Sequence, residues 1–169
     1  KFNNGNPIKN ITSNSSWISL ETPAYCWYNN DISYKDIIGA LYNWYVLDSG
    51  NICPQGWHIP TDSEWTILAD YLGGSTIAGA KVKETGTTHW DAPNTGATNS
   101  SGFTSLPSGH RSDNDGSFAG LFNFETMWSS TEYNELKPYY RTTSSTNTEL
   151  WRGYGGYKKI GKSMRCIKD

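Results

Sequence analysis

Residues 53–68 read CPQGWHIPTDSEWTIL, and the fold of the chain turns on them. Thr61 and Glu64 stand three apart directly after Pro60, the spacing at which an N-cap hydroxyl and an N3 carboxylate satisfy each other's backbone amides. Trp65, Leu68, Ala69 and Leu72 continue as an apolar stripe of helical period, and Gly73-Gly74 closes the helix as a C-cap would. The same window carries a cysteine, a histidine, two tryptophans and two carboxylates, which also raises catalysis. Spacing explains most of them as folding instructions. Glu64 is used by the cap, Trp57 and Trp65 read as core, and His58 sits in a short strand leading into the helix. No nucleophile is marked beside His58, so a structural role is favoured for it.

Upstream, Ile37, Ile38, Leu41, Trp44 and Tyr45 fall at i, i+1, i+4, i+7 and i+8 after Ser33, with Asp36 as an N3 acid, which predicts a helix with one buried face. Downstream, a short helical turn is expected around Ile77 to Glu84, interrupted by Gly79. Beyond residue 85, clusters of Gly, Ser, Asn and Pro separate short runs at 102–106, 126–130, 139–142, 149–152 and 163–167, which read as short strands with long connections. Helices first, then a few strands, point to an α+β domain with antiparallel sheet.

The 169 residues suit a single domain. A formal net charge of −2 without any basic stripe argues against nucleic acid as a partner, and apolar runs of only a few residues argue against a membrane span. The first ten residues lack the layout of a signal peptide, so the sequence reads as a mature or trimmed chain. With 18% charged residues and 8 Trp, 11 Tyr and 5 Phe, the composition suits a loop-rich extracellular domain. Cys26, Cys53 and Cys166 allow one disulfide with one thiol left over, or three buried thiols, and no spacing resembles a zinc site.

His58, His89 and His110 lack the i, i+4 pairing of helical metal ligands, and no G-x-S-x-G elbow occurs. Asp113 and Asp115, in DNDG, alternate as in the opening of a calcium loop. The bidentate acid that would complete such a loop is missing, since Phe124 is at the twelfth position, so an ordinary turn is favoured and a calcium ion is kept as an alternative. The more informative set is aromatic: Trp128, Tyr133, Tyr139, Tyr140, Trp151, Tyr154 and Tyr157, interleaved with Arg141 and Arg152. Rings beside hydrogen-bonding groups suit a sugar face or a protein hot spot. Trp128 and Trp151, in strands, are candidates for burial, whereas Tyr154 and Tyr157, in GYGGY, are expected at the surface.

The order of CPQGWHIPTDSEWTIL, AGAKVKETGTTHW, NSSGFTSLPSGHR, GSF, MWSST and KSMRCIKD resembles the Fibrobacter succinogenes major paralogous (FISUMP) domain over about residues 20–169, leaving 1–19 as a polar segment or edge strand. That family resembles a branch of the C-type lectin-like fold related to the formylglycine-generating, sulfatase-modifying factors, whose RLPTEAEWE segment is echoed by residues 59–65. The resemblance implies two helices flanking a small twisted antiparallel sheet with long ligand-presenting loops, and a secreted or lipoprotein-anchored bacterial surface protein.

Relatives with a segment like YCWYNND carry a second Cys shortly after it. None follows here, so the resemblance leaves Cys26 free and pairs Cys53 with Cys166. It also implies what is missing: the sulfatase-modifying enzymes use a C-terminal cysteine pair to bind copper, and only Cys166 stands there. The related iron-dependent sulfoxide synthases need a His/Glu ligand motif that does not occur.

The expectation is therefore a non-enzymatic, exported binding module without a cofactor, whose partner is a glycan or an extracellular protein. Its candidate contacts are His110, Arg111, Asp113, Asp115, Tyr133, Tyr139, Arg141, Trp151, Arg152, Tyr154 and Tyr157. The alternatives are an enzyme on the sulfatase-modifying scaffold and a spacer domain of an adhesin.

Overall fold

The computed structural model describes residues 1–48 and 50–169. In chain order the elements are β1 (Lys9–Asn10), α1 (Asn14–Ile18), β2 (Ala24–Cys26), two 3-10 turns (Tyr28–Asn30 and Ile32–Asp36), β3 (Leu41–Tyr42), α2 (Tyr45–Asp48) and β4 (Trp57–His58). There follow α3 (Asp62–Tyr71), α4 (Ser75–Val82), β5 (Ser108–Arg111), β6 (Phe118–Leu121), β7 (Phe124–Asn134), β8 (Lys137–Ser144), β9 (Trp151–Gly153) and β10 (Ile167–Lys168).

The capping box forms as its spacing predicts. The Thr61 hydroxyl accepts from the Glu64 amide at 3.2 Å, and a Glu64 carboxylate oxygen accepts from the Thr61 amide at 2.8 Å. Thr61→Ala is expected to destabilise the domain by about 1 kcal/mol, read as a lower urea midpoint at unchanged slope. Leu72 follows α3, and the amides of Gly73 and Gly74 return to the carbonyls of Asp70 and Ala69. Gly79 does not interrupt α4. A Cβ there would lie 2.1 Å from the Glu149 carbonyl oxygen, so glycine is what lets the β8–β9 connection lie against the helix.

The largest sheet has the order β6-β5-β7-β8-β9. It is antiparallel except where β5 meets β7 in parallel at Gly109 and Glu125. A three-stranded sheet β1-β2-β3 and the pair β10-β4 complete the α+β architecture. α3 and α4 both pack on one face of the large sheet, where Trp65, Ala69, Leu72, Ala78, Val82, Met127 and Leu150 form the main core. A second cluster joins Trp17, Ala24, Cys26, Tyr28 and Leu41, and a third joins Phe2, Ile8 and Val46. The first 19 residues thus contribute both an edge strand and buried side chains. Cys53 and Cys166 are bonded across 113 residues, and Cys26 is a buried free thiol.

Several expectations are corrected. The helix predicted after Ser33 does not form: Asp31 caps a 3-10 turn through the Ser33 amide, Gly39 adopts a φ of 77°, and Leu41–Tyr42 pair with β2. A positive φ ends the helical path, and the apolar spacing there is shared between a turn, a strand and α2. Strands are not confined to the second half, since β1–β4 precede α3. Residues 102–106 hold only a bridge from Ser105 to Lys83, and 163–167 supply a bridge at Ser163 and the start of β10. Trp57 is 39% exposed, because β4 is a two-residue edge pair that leaves its ring on a surface groove with Leu68 and Phe103.

Candidate functional site

The pleat of the central hairpin sorts its side chains onto two faces. Glu125 and Met127 of β7, Arg141 and Thr143 of β8 and Arg152 of β9 belong to the helix-facing set. There Asp62, at the start of α3, accepts from Arg141 at 2.6 Å and from Arg152 at 2.7 Å. Burial pushes the Asp62 carboxyl up, but the bonds and charges of the two arginines outweigh it and hold it below its ordinary range.

The opposite set faces outward. Phe124, Thr126 and Trp128 of β7 stand across from Ser144, Thr142 and Tyr140 of β8, and Trp151 of β9 stands across from Thr142. These residues, with Trp128 buried beneath, make a trough of about 480 Å³ with three hydroxyls on its floor and aromatic rings along it. Tyr140 and Trp151 meet edge to face at 5.7 Å. Their fit depends on Gly153, which pairs with Tyr140. A Cβ there would lie 2.3 Å from the Tyr140 ring. His110 of β5 adds an imidazole, and Asn147 and Glu149 close the end near Ser144.

The other end is closed by Lys162. Its backbone bridges to Tyr42, with N–O distances of 2.8 and 3.0 Å, and its side chain lies over the Tyr140 and Trp128 rings. The Lys162 Nζ lies 3.9 Å from the Tyr140 ring centre and 5.0 Å from that of Trp128. Burial lowers its pKa to about 7. Burial and the neighbouring Lys162 charge also push His110 below its usual value.

The eleven candidate contacts do not form one surface. His110 and Trp151 line the trough, and Trp151 is 46% exposed rather than buried. Tyr133, Tyr139 and Tyr154 make a separate cluster, with Tyr133 and Tyr154 rings 4.7 Å apart and Arg152 stacked 4.2 Å over Tyr139. Asp113 and exposed Tyr157 line a third region, a cavity of about 420 Å³ with Glu21, Glu135 and Lys159. Asp115 accepts from the amide and hydroxyl of Ser117, which makes DNDG a self-contained turn.

Two of the candidates are interior. Arg111 is fully buried against the Trp17 and Phe118 rings and donates to the carbonyls of Gly116, Ile11 and Thr12. Arg141 is buried on Asp62. A guanidinium stacked or ion-paired in the core is not available to a ligand.

His58 is held between Glu64 at 2.9 Å and Asp169 at 2.6 Å, and those bonds raise its pKa. It clasps the C-terminal end of the chain to the start of α3. Among the described residues, no group of three or more His, Cys, Asp or Glu is arranged to hold a metal. No helix among the described residues is long and apolar enough to cross a membrane.

Sequence reasoning named the aromatics but missed the floor. The runs FETMW at 124–128 and YRTTS at 140–144 carry no clean apolar alternation, so nothing local set Phe124, Thr126, Thr142 and Ser144 apart. Nothing local marks Lys162, which arrives from a distant segment.

A family model described as the Fibrobacter succinogenes major domain matches residues 1–168. Neither the curated proteins nor the solved structures give a match.

Proposed function

We propose that this chain, which belongs to the Fibrobacter succinogenes major domain family, is a non-enzymatic glycan-binding module whose ligand lies in the trough on the open face of the large sheet. One observation carries the reading: Trp151, Tyr140 and Phe124 surround a floor of Thr126, Thr142 and Ser144 hydroxyls within a single cavity of about 480 Å³. Rings supply flat apolar faces for C–H-rich sugar surfaces, and the hydroxyls supply bonds to sugar hydroxyls. The volume falls within the range of small-ligand sites.

We read the architecture as C-type lectin-like, supported by two helices against one face of an antiparallel hairpin and a ligand surface on the other. Export to an oxidising compartment is supported by the disulfide. The alternative of thiol-based oxidase chemistry is disfavoured, because Cys166 is bonded to Cys53 and Cys26 is buried with its pKa pushed up to about 11. A protein partner is the second reading, favoured by exposed Tyr133, Tyr154 and Arg152, residue types that serve as hot spots.

Trp151→Ala is expected to weaken glycan binding at least tenfold, equivalent to about 1.4 kcal/mol. Because the ring is half-exposed, the unfolding midpoint should barely move. A glycan array followed by calorimetry on the best ligand checks this. Unchanged affinity, or a blank array with protein shown to be folded, would refute the assignment.

A further inference from the structure

We infer that the trough selects sugars bearing an anionic substituent, a carboxylate or a sulfate, and that the Lys162 ammonium is the group such a substituent meets. The inference rests on the glycan reading above and adds the class of ligand.

Lys162 differs from the other buried charges. Lys83 donates to the carbonyls of Thr95, Ser144 and Asn147 at 2.8–3.0 Å. Arg111 is bonded to three carbonyls and Asn14, Arg141 and Asp62 are paired, and Glu125 meets Ser105 and Arg165. Lys162 is 4% exposed as a residue, and among the described residues its Nζ has neither a protein hydrogen bond nor a carboxylate within 4 Å; it is not one of the fully enclosed, unpartnered polar atoms, so the ammonium opens onto the trough it lines. The Tyr140 and Trp128 rings stabilise a cation but accept none of its three N–H donors in the manner of an oxygen. A largely desolvated cation with no protein counter-charge favours an anionic partner, and this one lines the cavity. An anion entering the trough would supply the counter-charge that the protein does not.

The trough is also polar along its length. Lys162 stands at the Tyr140 end. Glu149 and Asn147 stand at the Ser144 end, four residues or about 13 Å of strand away. An acidic sugar therefore has one favoured direction, with its charge on Lys162 and its hydroxyls toward Glu149. The titratable and charged groups around Lys162 are Tyr42 on β3, His110 on β5, Asp113 after it, and Tyr140 on β8. Asp113 favours the ammonium, burial disfavours it, and the balance leaves a pKa of about 7. The ammonium is thus present below pH 7 and lost as pH rises, so anion binding should weaken about tenfold per unit above pH 7.

The test uses oligosaccharides of hyaluronan (carboxylate), of keratan sulfate (sulfate) and of cellulose (neutral), titrated into the wild type and Lys162→Met at pH 6 and pH 8.5. The expected result is at least tenfold preference for one or both acidic probes at pH 6, diminished at pH 8.5 and abolished in Lys162→Met. If Lys162→Met fails to fold, Lys162→Arg decides the matter: a charge that does not titrate should keep the acidic preference at pH 8.5, whereas a preference lost there equally in wild type and Lys162→Arg would assign it to His110 and overturn the inference. Equal binding of acidic and neutral probes, insensitive to pH and to Lys162→Met but lost in Trp151→Ala, overturns the acidic preference and leaves the glycan site standing. No binding of any sugar, or Lys162-dependent binding of poly-glutamate alone, overturns both.

Discussion

Asp62→Ala is expected to destabilise the domain by about 3–5 kcal/mol, because it leaves the Arg141 guanidinium buried without its counter-charge. Arg141 keeps the Asp62 carbonyl at 3.1 Å and the Thr66 hydroxyl at 3.0 Å, but Nη1 loses the carboxylate at 2.6 Å. Arg152→Ala should matter far less, below about 1 kcal/mol, since that side chain is half-exposed and its bond competes with water. The double variant Asp62→Ala, Arg141→Met should recover much of the loss, because no buried charge is then stranded.

Urea unfolding of the four proteins checks the series. An Asp62→Ala loss no larger than that of Arg152→Ala would contradict the assignment. The pH dependence has a definite sign. The folded carboxyl is held below its ordinary value of about 3.9, so this contribution is present above that pH and is lost as pH falls through the lower folded value. The same carboxylate ties β9 to α3, so Asp62→Ala should also loosen Trp151 and weaken ligand binding.

Removing the Cys53–Cys166 bond is expected to reduce stability by roughly 4–5 kcal/mol, the chain-entropy value for a closure of this length. The bond fastens the C-terminal segment beside β4, where Ile167 pairs with His58 and Asp169 bonds the same imidazole. Without it, the short β10-β4 pair and the exposed His58 contacts are left to hold that end. The double variant Cys53→Ala, Cys166→Ala compared with wild type by urea unfolding, without reductant, measures the effect. A difference below about 1 kcal/mol would show that the clasp suffices alone. Cys26 should not reshuffle into the bond, because its thiol is buried and its pKa is pushed up to about 11. Iodoacetamide should label the native protein negligibly and the denatured protein once.

The legible parts of the fold are those made by neighbours in sequence. The Thr61–Glu64 cap, the α3 stripe and the DNDG turn each close within a few residues, so spacing alone specifies them. The fragments read at 126–130 and 139–142 belong to one hairpin, β7 and β8. Its length was hidden by polar residues that stay in register because the helix-facing side is packed. The helix expected after Ser33 shows the opposite failure: an apolar period survived although Gly39 and pairing with β2 gave those residues other partners. Strands β5 and β6, SGHR and FAGL, carry no apolar alternation and exist because β7 offers an edge to β5 and β5 in turn offers one to β6.

The candidate site divides along the same line. Tyr154 and Tyr157 were identifiable as surface aromatics from type and setting, whereas Trp151, named both as a contact and as a candidate for burial in its strand, is exposed. Their separation into a trough, a tyrosine cluster and a second cavity was not legible, because strand register sets the face of Trp151 and the path after β9 carries Tyr154 and Tyr157 away from it. Arg111 and Arg141 look like ligand contacts in sequence and are core struts in space, since Trp17 and Asp62 reach them from distant segments.

Residue order and spacing were enough for the α3 start signal, the α+β class and, through motif order, the family. Only the closed sheet sets Lys162 over Tyr140 without a protein counter-charge and lets hydroxyls from two strands share its cavity. The physical reason is range. Caps and turns are satisfied within one turn of chain, whereas burial, charge pairing and cavity shape are set by groups brought together only when the sheet closes.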